Sequence, residues 1–187
     1  MLRFISGRKN CHLKGLNSYV IRDRISDQIG MRRVFHNTGD ALPELIRGGV
    51  FCIAPHNHRQ DISLTLLHGA VLNVDYSFDS RAADRQFFEW KFRSAIVDGE
   101  MATAYHNTGD LRVVNVQPLS RSHALFLHSA AIHGIIASPG ASWLIEEGAL
   151  APATQLNLCY SRNSDFHLSQ DDLYGPMTPE EVGAIRL

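Results

Sequence analysis

The chain lacks any run approaching the roughly 18 apolar residues that a membrane-spanning helix needs, so no transmembrane segment is read in it. Its opening residues carry basic side chains without the following apolar core of about seven residues that marks a secretory signal, and a cytoplasmic location is expected. Cysteine is scarce. Cys11, Cys52 and Cys159 are odd in number, widely spaced and never arranged as CxxC, which argues against a disulfide framework and against a thiolate zinc site. Reduced thiols are expected, with Cys52 a core residue. Neither sign of charge dominates: 18 Lys and Arg face 19 Asp and Glu, scattered along the chain, so neither a nucleic acid nor a membrane surface is an expected partner. There is also no P-loop, no GxGxxG after a strand, no GxSxG elbow and no HExxH helix, and phosphate cradles, nucleophilic serines and zinc-peptidase chemistry therefore have no anchor.

What is present is 187 residues, 44 % of them apolar, enough for one packed domain. From Val50 onward, short apolar or alternating runs are separated by Gly, Asn, Asp and Pro. Val50–His58, Ile62–His68, Val71–Phe78, Met101–His106, Leu111–Gln117, Ala124–His128, Ile132–Ala137, Ser142–Glu146 and Leu156–Tyr160 read as strands. Their number and spacing predict an all-β sandwich or barrel. Residues 1–30 read as an N-terminal arm with a short helix or strand across Ser18–Ile29, 31–160 as the barrel, and 161–187 as a polar tail. Asp40 to Gly49 reads as a helical turn or two, and Thr178-Pro-Glu-Glu-Val as the start of a short C-terminal helix. Arg81–Val97 reads as a helix or long loop covering one end of the barrel. The pentapeptide His-Asn-Thr-Gly-Asp, found at 36–40 and 106–110, reads as a turn in both copies.

Histidine is abundant, at ten residues, and it is the commonest metal ligand. Within Phe51-Cys-Ile-Ala-Pro-His56-Asn-His58-Arg-Gln-Asp-Ile62, residues two apart on a strand share a face, so His56 and His58 can point inward and share one ion. Gln60 continues that inward parity and is a candidate to hydrogen-bond a ligand or a metal-bound water; a polar strand end is the bland alternative. Arg59 has outward parity, while Asp61 would orient a histidine if the strand bulges. His12, His68, His123 and His167 read as surface or turn residues, and Tyr76, Tyr105 and Trp143 as core.

The stretch resembles the first motif of the cupin superfamily, G-x5-H-x-H-x3-4-E-x6-G. His56 and His58 match its histidines, Gly69 falls on its closing glycine, and Gly49 lies one position from its opening one. Ile62 stands where that family carries glutamate. The second cupin motif supplies one more histidine after a tight turn, and His133, followed by Ile-Ile-Ala and a Ser-Pro-Gly turn, is similar to it. His128 is the rival third ligand. The resemblance spans roughly Val50 to Glu147 and implies a cupin, or jelly-roll, β-barrel with metal ligands His56, His58 and His133.

Three histidines without the glutamate resemble the thiol dioxygenase branch of the cupins, whose ion is Fe(II). The strand after the third ligand carries in that branch a histidine and a tyrosine two residues apart, and here Ile145 and Glu147. Glu147 is a candidate acid or base near the ion, with exposure at the barrel rim as the alternative. The expectation is an Fe(II)-dependent oxygenase of a small polar molecule. The alternatives are an isomerase, epimerase or lyase using Zn(II), Ni(II) or Mn(II) as Lewis acid, and a non-catalytic small-molecule binder. The resemblance also brings a homodimer as the default assembly.

Overall fold

Period-two alternation becomes strand over most of the chain. The computed structural model describes residues 3–9, 15–21, 32–40, 46–47, 50–97, 100–150, 157–162 and 175–187, with side chains outside 46–52, 91–106 and 149–157. In chain order the strands are β1 (Phe4–Lys9), β2 (Leu16–Ile21), β3 (Arg32–Asn37), β4 (Ile46–Arg47), β5 (Val50–His56), β6 (Gln60–His68) and β7 (Val71–Asp79). They continue as β8 (Phe87–Val97), β9 (Glu100–Pro118), β10 (Leu125–Leu127), β11 (Ile132–Ala137), β12 (Ser142–Leu150), β13 (Asn157–Ser161) and β14 (Gly175–Pro176), followed by helix α1 (Pro179–Ala184).

Two sheets form. One runs β10-β6-β12-β3-β2-β1-β14; the other runs β11-β7-β9-β8-β13-β5-β4, and an added β11–β5 pairing closes six of its strands into a ring. This is the expected all-β jelly-roll barrel. Each pairing is antiparallel, so alternate residues of a strand can face the partner sheet while their neighbours face away. The main core shows that division. Leu16, Phe35, Ile62, Leu64, Leu127, Trp143 and Ile145 come from one sheet and Ile53, Val71, Ile135 and Ala137 from the other. Val34 and Leu144, each beside a core residue in sequence, belong instead to a second cluster with Tyr19, Ile21, Leu67, Met177 and Ile185 on the outer face of the first sheet.

Helix α1 lies against that outer face. Thr178 caps it: the Thr178 hydroxyl accepts the Glu181 N–H at 3.2 Å, and the Glu181 carboxylate accepts the Thr178 N–H at 2.8 Å. Lys9 of β1 pairs with Glu181 and ties the helix to the first strand. At the other end of the sheet, Gly69 turns the chain from β6 into β7 with φ +74°, and a Cβ there would sit 2.8 Å from the Ala141 Cα. The motif glycine is thus required by backbone conformation and by lack of room.

Several readings are corrected. Arg81–Val97 is not a helix or a covering loop from Phe87 onward: Phe87–Val97 is strand β8, paired with β9 on one side and β13 on the other. The second His-Asn-Thr-Gly-Asp lies inside β9, which joins the two strands read at Met101–His106 and Leu111–Gln117; only the first copy ends a strand, with Gly39 at φ +83°. Within the segment read as an arm, Phe4–Lys9 and Leu16–Ile21 form β1 and β2, the latter overlapping the short helix or strand expected across Ser18–Ile29. The readings at residues 41–45 and 48–49, at His12 and His167, and at the side chains of Cys52, Tyr105 and His106 lie outside the described residues.

Trp143 is fully buried and stacks on Phe35 with ring centroids 5.8 Å apart. Trp143→Ala is expected to cost about 3–5 kcal/mol of folding stability, the usual range for deleting a buried aromatic ring. Urea unfolding followed by far-ultraviolet dichroism would measure it, and a loss under about 1 kcal/mol would mean that this ring is not central to the core.

Candidate metal centre

The site forms where β5 and β11 pair. Between the partners Ile53↔Ile135 and His56↔His133, β5 advances three residues while β11 advances two. That extra residue is a bulge, and it restores His56 to the inner face already occupied by Ile53. Pro55 sits in it, one of the few places where a sheet tolerates a residue without an N–H. β5 then ends at His56, and His58 lies in the connection to β6 rather than on the strand.

Backbone hydrogen bonds hold that connection in place. The Asn57 N–H donates to the Leu158 carbonyl at 3.0 Å, and the Asn57 side-chain oxygen accepts the Leu158 N–H at 2.6 Å. The His58 N–H donates to the Ser129 carbonyl at 3.1 Å, and the Ser129 N–H donates to Asp61 Oδ1 at 2.7 Å. Asp61 therefore steadies the turn that carries His58 through a neighbouring backbone group.

The three imidazoles converge. One nitrogen from each of His56, His58 and His133 lies within 4.8 Å of the other two, and the ring centroids are 4.8–5.1 Å apart. Among the described residues no carboxylate or thiol belongs to the cluster. Their outer nitrogens are assigned by their partners: the His56 Nδ1–H donates to the Ala54 carbonyl at 2.9 Å, and the His133 Nδ1–H donates to Asn73 Oδ1 at 2.7 Å. Both rings then present the Nε2 lone pair to the cluster. The Nε2 atoms of His58 and His133 stand 2.9 Å apart. Two bare lone pairs repel at that separation, so the pair needs a shared proton or a cation.

A metal ion fits this donor set. Two nitrogens at about 2.1 Å from one ion and at right angles are about 3.0 Å apart, close to the His58–His133 spacing. His56 is the wider member, its ligand nitrogen within 4.8 Å of the other two. Burial holds the His56 imidazole below the usual histidine range, which favours the neutral form that binds metals.

Behind His133 runs a chain of amides and a carboxylate that sequence reading missed. His133 is 1 % exposed and Asn73 is fully buried. The Asn73 amide donates to Asp75 Oδ1 at 2.6 Å, and Asp75 Oδ2 accepts from Asn115 at 3.2 Å and Gln117 at 3.5 Å. The strand register that pairs His133 with Asp75 was the missing information, because both polar residues are about 60 residues from His133 in sequence.

The other candidates fall as follows. His128 lies outside the cluster: it is exposed, and its Nε2 is 3.9 Å from Asp61. Gln60 opens β6 in the other sheet, opposite Leu150, so the parity that extended from His56 and His58 does not reach it. Glu147 continues the inward row of Trp143 and Ile145 and pairs in register with Ile62, near the start of β6; this is the barrel end where β5 stops and β11 begins. Its carboxylate is 3.6 Å from the Arg33 guanidinium, and burial raises its pKa more than Arg33 lowers it. Cys159 pairs with His56 across β13 and β5, and burial pushes its thiol up to about 12. It stays protonated near neutral pH.

No known protein family matches the sequence, and no curated protein does. Among solved structures, the chain is similar to hydroquinone 1,2-dioxygenase from Sphingomonas sp. TTNP3 with 4-hydroxybenzoate bound, at 13 % identity and a TM-score of 0.26. That likeness covers 64 % of this chain and 62 % of the other, so the chain spans less than two thirds of that protein's length. Among the described residues no helix is long and apolar enough to cross a membrane.

Asn73→Leu removes the acceptor that orients His133. We expect it to weaken metal binding about 10- to 100-fold, as loss of an outer hydrogen bond to a histidine ligand does. Competition with a fluorescent chelator would read this, with the melting temperature as the check on folding; unchanged affinity in a folded variant would remove Asn73 from the site.

Proposed function

We propose that the chain is a metal-dependent enzyme, and specifically an Fe(II)-dependent oxygenase of a small polar molecule. The observation that carries the reading is the convergence of three imidazoles with, among the described residues, no carboxylate beside them. Such a set leaves an ion doubly positive and with several open positions. Bound Fe(II) would supply those positions to an anionic substrate and to dioxygen, together with the electrons that activate the oxygen.

The chain's own residues do the rest. His56, His58 and His133 hold the ion, and Asn73 and Asp75 keep the His133 ring in one tautomer. Glu147, with its carboxyl raised by burial, is suited to hold or pass a proton at its Oε atoms at the same end of the barrel. Arg33 fixes that carboxylate and adds the positive charge that an anionic substrate meets on entry. A second role, hydrogen bonding at the mouth, falls to Gln60 at the start of β6.

The raised Glu147 also favours a second reading, in which the ion is a Lewis acid and a proton moves between substrate and carboxylate, as in an isomerase or lyase. The identity of the metal separates the two.

Protein purified without added metal should contain about one equivalent of iron per chain. Supplied anaerobically with Fe(II) and then with oxygen, it should consume oxygen only when a suitable organic acid or phenol is present. His133→Ala should lose the stoichiometric metal, and His128→Ala should keep it. Zinc, nickel or manganese in place of iron would favour the Lewis-acid reading, and metal retained by both His133→Ala and His56→Ala would end both.

A further inference from the structure

A second group of polar residues lies on the outer face of the first sheet and shares no residue with the histidine cluster. Ser142 of β12 pairs in register with His36 of β3 on one side and with His68 of β6 on the other. The three residues form a row across adjacent strands. His36 and Ser142 share the parity of Val34 and Leu144, which belong to the outer cluster that α1 covers. His68 joins them because of a bulge: between Ser142↔His68 and Trp143↔Leu66, β6 carries one extra residue, Leu67. Such a bulge turns a side chain to a face it would otherwise avoid.

A cavity of about 520 Å³ opens over the row, walled by His36, Leu67, His68, Gly140, Ser142 and Arg186, with Leu187 at its edge. The size suits a small ligand. The His36 Nδ1 and the Ser142 hydroxyl are hydrogen-bonded at 2.8 Å, so the buried serine is already oriented. Arg186 ties Nη1 to the carbonyls of Gly183 and Ile185, which fixes the guanidinium at the end of α1 while its other N–H groups stay available. Among the described lining residues there is no aspartate or glutamate. Two imidazoles, a guanidinium and a hydroxyl therefore meet beside leucine side chains, with no acidic side chain among the described lining residues to neutralise them.

We infer that this cavity is a binding site for a small organic anion, its oxoanion group held by Arg186, His68 and the His36–Ser142 pair and its apolar part resting on Leu67. Arg186 donates hydrogen bonds to the anion, as does the Ser142 hydroxyl when the His36 Nδ1–H donates to its oxygen, and charge-assisted bonds of this kind are about twice as strong as neutral ones. The bound anion also offsets the mutual repulsion of the two imidazoles. Burial and the neighbouring His68 both hold His36 below the ordinary histidine range, and an anion in the cavity would raise it again.

The test uses the full chain and two probes, inorganic phosphate and butyrate, with the ring protons of His36 and His68 followed by NMR and assigned from His36→Gln and His68→Gln spectra. Saturable shifts of both rings with either probe are expected; the tighter probe tells a phosphate ligand from a carboxylate. Arg186→Gln, at an exposed position, should weaken binding about tenfold or more. His133→Ala should leave it unchanged. No saturable shift with either probe, or equal affinity in Arg186→Gln, would overturn the inference, as would loss of binding in His133→Ala, because the anion would then be seated at the histidine cluster.

Discussion

The structure depends on one pairing, between the end of β5 and the start of β11. His56 and His133 are opposite each other there, and the bulge at Pro55 sets both on the inner face. In a regular strand a residue three positions from Ile53 would point away from the barrel, and the bulge cancels that offset for His56. The remaining ring, His58, depends on the same place, since the turn that carries it is fastened to β13 through Asn57 and to the 128–131 turn through Ser129. A short stretch of backbone thus holds three lone-pair donors close together. That arrangement is unfavourable unless a proton or a cation sits among them.

The surroundings follow from this constraint. An imidazole that must present Nε2 needs its Nδ1–H taken up elsewhere, and the fold provides a carbonyl for His56 and a buried amide for His133. The amide in turn needs an acceptor for its own N–H, which Asp75 supplies, and Asp75 is supported by Asn115 and Gln117 of β9. Strands β7, β9 and β11 are therefore joined by polar side chains on the face on which, a few residues away, β7 and β11 meet through Val71, Ile135 and Ala137. The inner members of this network, His133 and Asn73, are buried and need every hydrogen bond satisfied, so each polar residue constrains the next.

Much of this was legible in the sequence, though partly for a different reason. The period-two spacing of His56 and His58 pointed to one site, and they do meet; but the strand ends at the first of them and the second arrives by a turn. Pro55 was the visible sign of the irregularity. Ile132–Ala137 has the bounds its apolar run suggested, because that strand is flanked by unambiguous turns. β8 was hidden by its charges, which occupy every second position of an aromatic strand. Asn73, Asp75 and Arg33 could not be assigned from sequence spacing, since what brings them to the site is strand register between segments roughly 60 to 110 residues apart.

Gly69 shows how different pressures act within one sequence motif. Its positive φ excludes other residues on conformational grounds, and the atom it would strike is the backbone of Ala141, so trimming that neighbour gives no relief. The glycine therefore records how β6 returns into β7, whatever the barrel holds. Barrels of this build that have lost their ion would keep the glycine and shed the imidazoles. In any set of diverged relatives, the spacing of the glycines would group chains by architecture, and only the histidines would sort them by chemistry.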